Sequence, residues 1–259
     1  MIGQCKLCKI SPVVLQDSHY IPAGIYKALR DGGCINPNPL IITAKNTFQS
    51  SSQKKFKLLC SCCENLLSKH GENWTLKQIL KADGTFNMRS ILSSYKPSLL
   101  AGHSETKIFY ANEIPEINVA ALSYFAASVF WRGSIHTWNE DKTIPVKLGP
   151  YSEEFRRYLL GEQEFPKNCY LLLVVREGEN SPRITYPPLA KRDGHIHYYN
   201  FPIPGLAFTL IIGKKVLSIH RELCFVTQSN HPIIYTSVLE NMLESDLQTL
   251  LQKQNTRRG

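Results

Sequence analysis

The order of apolar and polar positions in the first hundred residues predicts short elements separated by polar loops. Pro22 fits the first turn of a helix that the Gly32-Gly33 pair would end. Residues 34–53 are rich in Asn, Pro, Ser and Thr, which is typical of a loop. The predicted elements of this part are strands at 12–15 and 40–43 and helices at 23–29, 65–70, 75–82 and 86–94.

The remainder of the chain predicts two helices followed by strands. Residues 117–131 are apolar nearly all round, which is typical of a buried helix, and a buried Arg132 next to them would need a carboxylate or carbonyl partner. Ser152 can cap a second helix, at 152–160, that Gly161 ends. The other predicted elements are a linker at 96–115, strands at 170–175, 183–186, 195–200, 206–212 and 215–219, the last two joined as a hairpin at Gly213-Lys214, and a final helix at 237–251.

These elements predict an α+β protein in which the strands of the second half pair antiparallel. We expect two modules, a basic one at residues 1–96 and a mixed helix and antiparallel-strand module at 97–259. The role of the second module cannot be derived from its residues, and we expect it to supply substrate choice or a surface for a protein partner.

Charge distinguishes the two modules. The chain of 259 residues carries 30 Lys+Arg against 21 Asp+Glu, a net charge of +9. Its first hundred residues hold 13 basic and 5 acidic side chains, so nearly all of the excess lies there. A localised positive charge favours a polyanionic partner such as nucleic acid.

Cysteines are concentrated in the same region, with six of the eight in the first 63 residues. The sequence begins without the apolar core of an export signal, and its longest apolar stretch, 120–131, is too short to span a bilayer. We therefore expect a soluble cytoplasmic protein with reduced thiols and no membrane partner. In that compartment, paired cysteines are more often metal ligands than disulfides.

Two Cys-x-x-Cys pairs, Cys5 with Cys8 and Cys60 with Cys63, predict a tetrahedral zinc site of four thiolates. Such a site is closed to water, so the ion would stabilise the fold rather than catalyse a reaction. Because Cys62 lies between them, the sequence does not decide which two of Cys60, Cys62 and Cys63 are ligands, although Cys60 and Cys63 have the commoner spacing. The alternative is a group of buried cysteines without a metal.

The sequence between and around these pairs resembles the zinc-containing HNH endonucleases. Cys5-Lys-Leu-Cys8 is followed by a predicted strand, then by Ser18-His19-Tyr-Ile-Pro22, and then by Leu-Leu-Cys60-Ser-Cys-Cys63-Glu64 entering a helix. The resemblance covers roughly residues 1–75. It implies a treble clef overlaid on a ββα-metal core, a phosphodiester-cleaving activity that uses Mg²⁺ or Mn²⁺, DNA as the main substrate, and a context such as defence against phage.

The resemblance also implies roles for individual residues. His19 takes the position of the general base, and an imidazole that titrates near pH 7 can accept a proton from water. Ser18 stands where the family has an acidic metal ligand, and Glu64 and His70 are candidates for the ligand on the helix. The Asn that normally precedes the second cysteine pair is missing. His19 could alternatively be a structural histidine or a zinc ligand, and Glu64 a carboxylate favoured by a helix N-terminus.

Basic side chains around the cysteines are candidates for contact with phosphates. Few aromatic residues are interspersed among them, which favours backbone contacts over base stacking. A solvated basic face without a ligand is the alternative, as is a zinc-folded protein that binds nucleic acid or protein without cleaving anything. The candidate nucleic-acid contacts are Lys9, Lys27, Arg30, Lys54, Lys55, Lys57 and Lys69.

Overall fold

The N-terminal half is built on a small antiparallel sheet and a run of helices. The structure is a computed structural model that describes residues 1–30, 35, 37–42, 47–100, 103–138, 146–177 and 183–236. The elements of the N-terminal half are β1 (Ile2–Gly3), β2 (Val13–His19), α1 (Ala23–Leu29), β3 (Leu40–Ile42), β4 (Thr47–Gln49), β5 (Lys55–Cys60), α2 (Ser61–Leu67), a π-helical turn (Ser68–Glu72), α3 (Asn73–Gln78) and α4 (Asn87–Leu92).

Strand β2 is the centre of the N-terminal sheet, with β1 on one side and β5 on the other. Its pairing with β5 runs from Leu15 opposite Cys60 to His19 opposite Lys55. Helix α2 follows β5 without a loop, so the end of the strand and the start of the helix meet at Cys60. This arrangement brings the two sequence-distant cysteine pairs to one end of the sheet.

The C-terminal half contains a larger sheet. Among the described residues, seven strands pair in the order β6-β7-β12-β8-β11-β10-β9, all antiparallel except β12 with β8. Its elements are β6 (Ser98–Leu100), β7 (His103–Tyr110), a 3₁₀ turn (Ala111–Glu113), α5 (Val119–Ile135), α6 (Tyr151–Leu159), β8 (Cys169–Arg176), β9 (Leu189–Asp193), β10 (Ile196–Ile203), β11 (Leu206–Ile212), α7 (Ser218–Glu222) and β12 (Pro232–Thr236).

Helix α5 connects the two halves. Its side chains are buried on every face, as the apolar pattern predicts, and the side chain of Asn118 caps it by accepting from the Ala121 amide at 2.8 Å. A Cβ at Gly71 would lie 2.9 Å from the backbone nitrogen of Phe125, so glycine permits the π-helical turn to contact α5. Leu67, Phe125 and Phe201 belong to one apolar cluster that includes residues of both halves. The predicted division at residues 96 and 97 stays a prediction.

Most of the predicted long elements are confirmed. The helix at 23–29 coincides with α1, and α6, β8, β10 and β11 lie within a few residues of their predicted bounds. The structure also confirms an α+β class with antiparallel sheets and a cysteine cluster near the N-terminus. None of the helices within the described ranges is long and apolar enough to cross a membrane.

Three predicted segments are wrong. The linker at 96–115 contains β6 and β7, and β7 pairs with β12, a partner more than a hundred residues away. Segment 183–186 is irregular, held to β10 by the Thr185 hydroxyl, which donates to the Pro202 carbonyl at 2.9 Å. Segment 215–219 is not a strand and runs into α7. The helix at 237–251 lies outside the described residues.

The predicted hairpin at Gly213-Lys214 is wrong, and 206–212 forms a hairpin with the preceding strand instead. Ile203 of β10 pairs with Leu206 of β11, so the loop consists of the two residues Pro204 and Gly205. Gly205 has a φ of +81°, a conformation that favours glycine. The Pro-Gly pair is the sequence signal of this turn.

Candidate metal centre and adjoining polar cluster

Four cysteines from three short segments converge at the end of the N-terminal sheet. Cys5 and Cys8 lie on the turn before β2, Cys60 ends β5, and Cys63 lies in the first turn of α2. Their sulfur atoms all lie within 4.8 Å of one another, and within the described ranges this is the one group of three or more His, Cys, Asp or Glu ligand atoms so close together. Cys62 is exposed and outside the group, which favours the Cys60–Cys63 register.

The spacing of the sulfur atoms suits tetrahedral coordination. The Sγ atoms of Cys8 and Cys60 are 3.9 Å apart, and zinc–sulfur bonds of about 2.3 Å place tetrahedral sulfurs about 3.8 Å apart. A disulfide would need sulfurs about 2.05 Å apart. The backbone amide of Cys60 donates to the Cys5 sulfur at 3.3 Å, a contact that stabilises a thiolate.

The same crowding makes the cysteine thiols hard to ionise without a cation. Burial raises the pKa of the Cys63 thiol, and the neighbouring charge of Cys5 raises it further. Four thiolates without a counter-charge would repel one another, whereas a bound divalent ion deprotonates its thiol ligands. The group can therefore hold a metal ion such as zinc.

Next to the cysteines, the structure brings Ser18 and Glu64 together. Ser18 is completely buried, its hydroxyl donates to Oε1 of Glu64, and it accepts from the Leu59 amide at 3.2 Å. Burial raises the pKa of the Glu64 carboxyl, an effect that the Ser18 hydrogen bond opposes. Two of the three residues expected at a second divalent site are thus in contact.

His70, the third residue expected at that site, lies elsewhere. It is exposed on the π-helical turn, with its ring centroid 5.5 Å from that of Tyr124. Among the described contacts, no hydrogen bond joins it to Ser18 or Glu64.

Arg132 joins this cluster from α5. Its guanidinium is 1% exposed and donates to the His19 carbonyl at 2.7 Å and to Glu72 Oε1 at 2.8 Å. It also donates to the carbonyl of Ser128 at 3.3 Å. These are the carboxylate and carbonyl partners that a buried arginine requires.

Glu72 is the residue of this cluster that sequence reasoning missed. It ends the π-helical turn, and such a turn shifts the phase of its residues relative to a regular α-helix. A helical period of 3.6 residues per turn therefore could not predict whether Glu72 lies on the same side of the helix as Glu64. The available signal was a second acidic residue in a region with few acids.

His19 ends β2 and is half-buried. Burial lowers the pKa of its imidazole, and the positive charges of Lys55 and Arg132 lower it further. The ring is therefore neutral at pH 7 and able to accept a proton. No hydrogen bond to the ring occurs among the described residues.

Asp17 lies on the side of β2 opposite to Ser18, after a bulge between Gln16 and Asp17. Ser18 points inward, whereas Asp17 is exposed and forms ion pairs with Lys57 at 3.1 Å and Lys55 at 3.8 Å. Two of the candidate phosphate contacts are thus partly neutralised by a carboxylate. All seven candidates are exposed: Lys9, Lys27, Arg30, Lys54, Lys55, Lys57 and Lys69.

Comparison with known proteins adds no relative. No protein-family model, no curated protein and no solved structure matches the chain.

Proposed function

We propose that this chain is a zinc-binding, HNH-like protein that hydrolyses phosphodiester bonds of nucleic acid with His19 as the general base. The observation that carries the proposal is the position of His19. It ends β2, the central strand of the sheet that joins the two cysteine pairs, one residue after the Ser18 that contacts Glu64. The resemblance to the HNH endonucleases puts a general base at this position, between two cysteine pairs and before a helix.

Zinc has a structural role in this proposal. Cys5, Cys8, Cys60 and Cys63 would hold the ion, which supplies the positive charge that keeps four thiolates together. The ion would fix the turn before β2 to the start of α2. Because His19 ends β2, a fixed β2 also fixes the imidazole.

In this proposal, His19 and the pair of Ser18 and Glu64 carry out the hydrolysis. Neutral imidazole accepts the proton of the water that attacks phosphorus, a contribution of about 10²- to 10⁴-fold in rate. Mg²⁺ or Mn²⁺ would be held by Glu64 and Ser18, with substrate oxygens and water completing the coordination, and it would supply charge stabilisation to the leaving oxygen. Exposed lysines such as Lys55 would contact the phosphates of the substrate, with DNA the expected form.

A second candidate function is binding without cleavage. One specific observation favours it: the three acidic side chains of this region already have partners, Glu64 with Ser18, Glu72 with Arg132 and Asp17 with Lys57. Arg132 supplies a fixed positive charge close to where a catalytic cation would act. In this case the zinc module presents the basic surface and leaves the phosphodiester intact.

Cleavage and salt dependence distinguish the two candidates. We expect zinc-loaded protein to cleave labelled DNA or RNA in the presence of Mg²⁺ or Mn²⁺, and to bind nucleic acid less tightly as salt rises. Salt-dependent binding without cleavage in either metal would support the second candidate. Absence of binding at low salt would contradict both.

A further inference from the structure

Four rings in contact with one another form a row from Tyr20, the residue after His19, to the surface of the N-terminal sheet. Tyr20 stacks on Trp138 with ring centroids 4.7 Å apart and planes 16° apart. Trp138 contacts Phe56 edge-on at 5.5 Å, and His136 lies 4.2 Å from Phe56 and 5.3 Å from Trp138. Phe56 is the outermost ring of the row, and its side chain is held from below by His136 and Trp138.

Phe56 is 42% exposed, although it is a large apolar side chain with aromatic neighbours available. It lies on β5 in the run Lys54-Lys55-Phe56-Lys57, all of which is exposed. A further lysine, Lys6, is close enough to lower the pKa of His136, an effect second to that of burial. Lys55 and Lys57 pair with Asp17 on the other face of β5. The ring thus offers a stacking surface on a strand whose neighbouring lysines can contact phosphates.

The position of Phe56 relates it directly to the proposed site. In the pairing of β2 with β5, Phe56 stands opposite Ser18. Directly opposed residues have Cβ atoms about 5 Å apart. Ser18 itself is completely buried, so a flat ligand on the Phe56 ring would lie on β5, the strand that pairs with the one that His19 ends.

We propose that Phe56 is a stacking platform for an unpaired nucleobase, so that the ligand of this surface is single-stranded nucleic acid whose phosphates contact Lys54, Lys55 and Lys57. This inference rests on the proposed function and names its substrate class. A base inside a duplex has both faces covered by its neighbours, whereas an unpaired base offers a face to an aromatic ring. Because few aromatic residues lie among the basic ones, the sequence favours contact with phosphates over base stacking. The exposed ring of Phe56, which packs against His136 and Trp138, adds a stacking surface to that expectation.

Phe48 offers a matched control within the same module. It is 47% exposed, on β4 of the separate hairpin with β3. No ring contact to it occurs in the described part of the chain. Replacing Phe48 therefore removes an equal apolar surface without touching the row of rings.

The test is equilibrium binding of the full chain to labelled oligothymidylate, oligouridylate and a hairpin duplex, in buffer with zinc but without Mg²⁺ or Mn²⁺. We expect tighter binding of one or both single strands than of the duplex. Phe56→Ala should weaken single-strand binding about 5- to 150-fold, the effect of losing one stacked base. Phe56→Trp should retain it, Phe56→Leu should lose it while keeping apolar packing, and Phe48→Ala should bind like wild type.

A second readout separates stacking from damage to the fold. Stacking releases no counterions, so Phe56→Ala should lower affinity while keeping the slope of log affinity against log salt. Equal single-strand affinity for wild type and Phe56→Ala, or a preference for the duplex, would overturn the inference and leave the proposed function standing. Failure of wild type to bind any of the three probes at low salt would overturn both.

Discussion

Removing the metal, or replacing Cys63 with serine, is expected to unfold the N-terminal sheet and α2. The sheet is small, with a two-residue β1 beside β2 and β5, and the four cysteines fix its end to the helix. Structural zinc contributes about 10 to 16 kcal/mol in small zinc-dependent units. Whole domains are stable by only about 5 to 15 kcal/mol. We therefore expect chelation or Cys63→Ser to abolish the cooperative thermal transition of this half, measured by circular dichroism and calorimetry.

Cys62→Ser is the matched control, because Cys62 is adjacent in sequence but exposed and outside the metal group. This variant should retain about one equivalent of zinc per chain and the melting temperature of wild type. Metal analysis of freshly purified protein accompanies the melting curves. Wild type without bound metal, or a Cys63→Ser variant that melts like Cys62→Ser, would contradict a structural metal centre.

Replacing Arg132 with methionine is expected to cost about 3 to 5 kcal/mol of unfolding free energy. The substitution keeps the apolar length of the side chain but leaves Glu72 without its cation and the His19 carbonyl without its donor. Loss of one partner from a buried ion pair leaves an uncompensated charge, which has this cost. The measurement is chemical denaturation of the zinc-loaded protein at neutral pH.

Two further variants show whether loss of the ion pair between Arg132 and Glu72 causes the decrease in unfolding free energy. Adding Glu72→Gln to Arg132→Met should recover part of the loss, with a coupling energy of about 0.5 to 3 kcal/mol. Arg157→Met removes an arginine whose side chain is about half exposed beside Glu162, and it should cost less than about 1 kcal/mol. Equal unfolding free energies for Arg132→Met and Arg157→Met would contradict the buried role of Arg132.

The Arg132 contacts give the C-terminal half a part in the candidate site. Arg132 belongs to α5, and it contacts the backbone of His19 from the side opposite to the solvent. The carbonyl of Arg132 in turn accepts from the indole nitrogen of Trp138 at 2.8 Å, which links the ion pair to the row of rings under Phe56. Arg132 thus supports the candidate base through its side chain and the proposed stacking surface through its backbone carbonyl.

Local sequence features could predict part of this structure. Each Cys-x-x-Cys pair is defined by the spacing of two cysteines in the sequence, so the group of four could be predicted from the pairs that begin at Cys5 and Cys60. The apolar run of α5 is long and buried on all faces, so its pattern needs no knowledge of its neighbours.

Long-range contacts decided the rest. Strand β7 is defined by its pairing with β6 and β12, and its sequence, polar over 103–107 and apolar over 108–110, has no alternation of period two that would indicate a strand. The sequence indicated that Arg132 needs a partner, but Glu72 is 60 residues away and meets it through the packing of the π-helical turn on α5. The exposure of Phe56 likewise depends on where His136 and Trp138 pack.

The central claim is that His19 acts as a general base on nucleic acid, and the most direct measurement is the cleavage rate of the saturated complex. Single-turnover rates are compared for zinc-loaded wild type, His19→Ala and His195→Ala, the last removing an exposed histidine of the β9–β10 turn. We expect His19→Ala to lower the rate about 10²- to 10⁴-fold with binding unchanged, and His195→Ala to match wild type. Equal rates for wild type and His19→Ala would contradict the account.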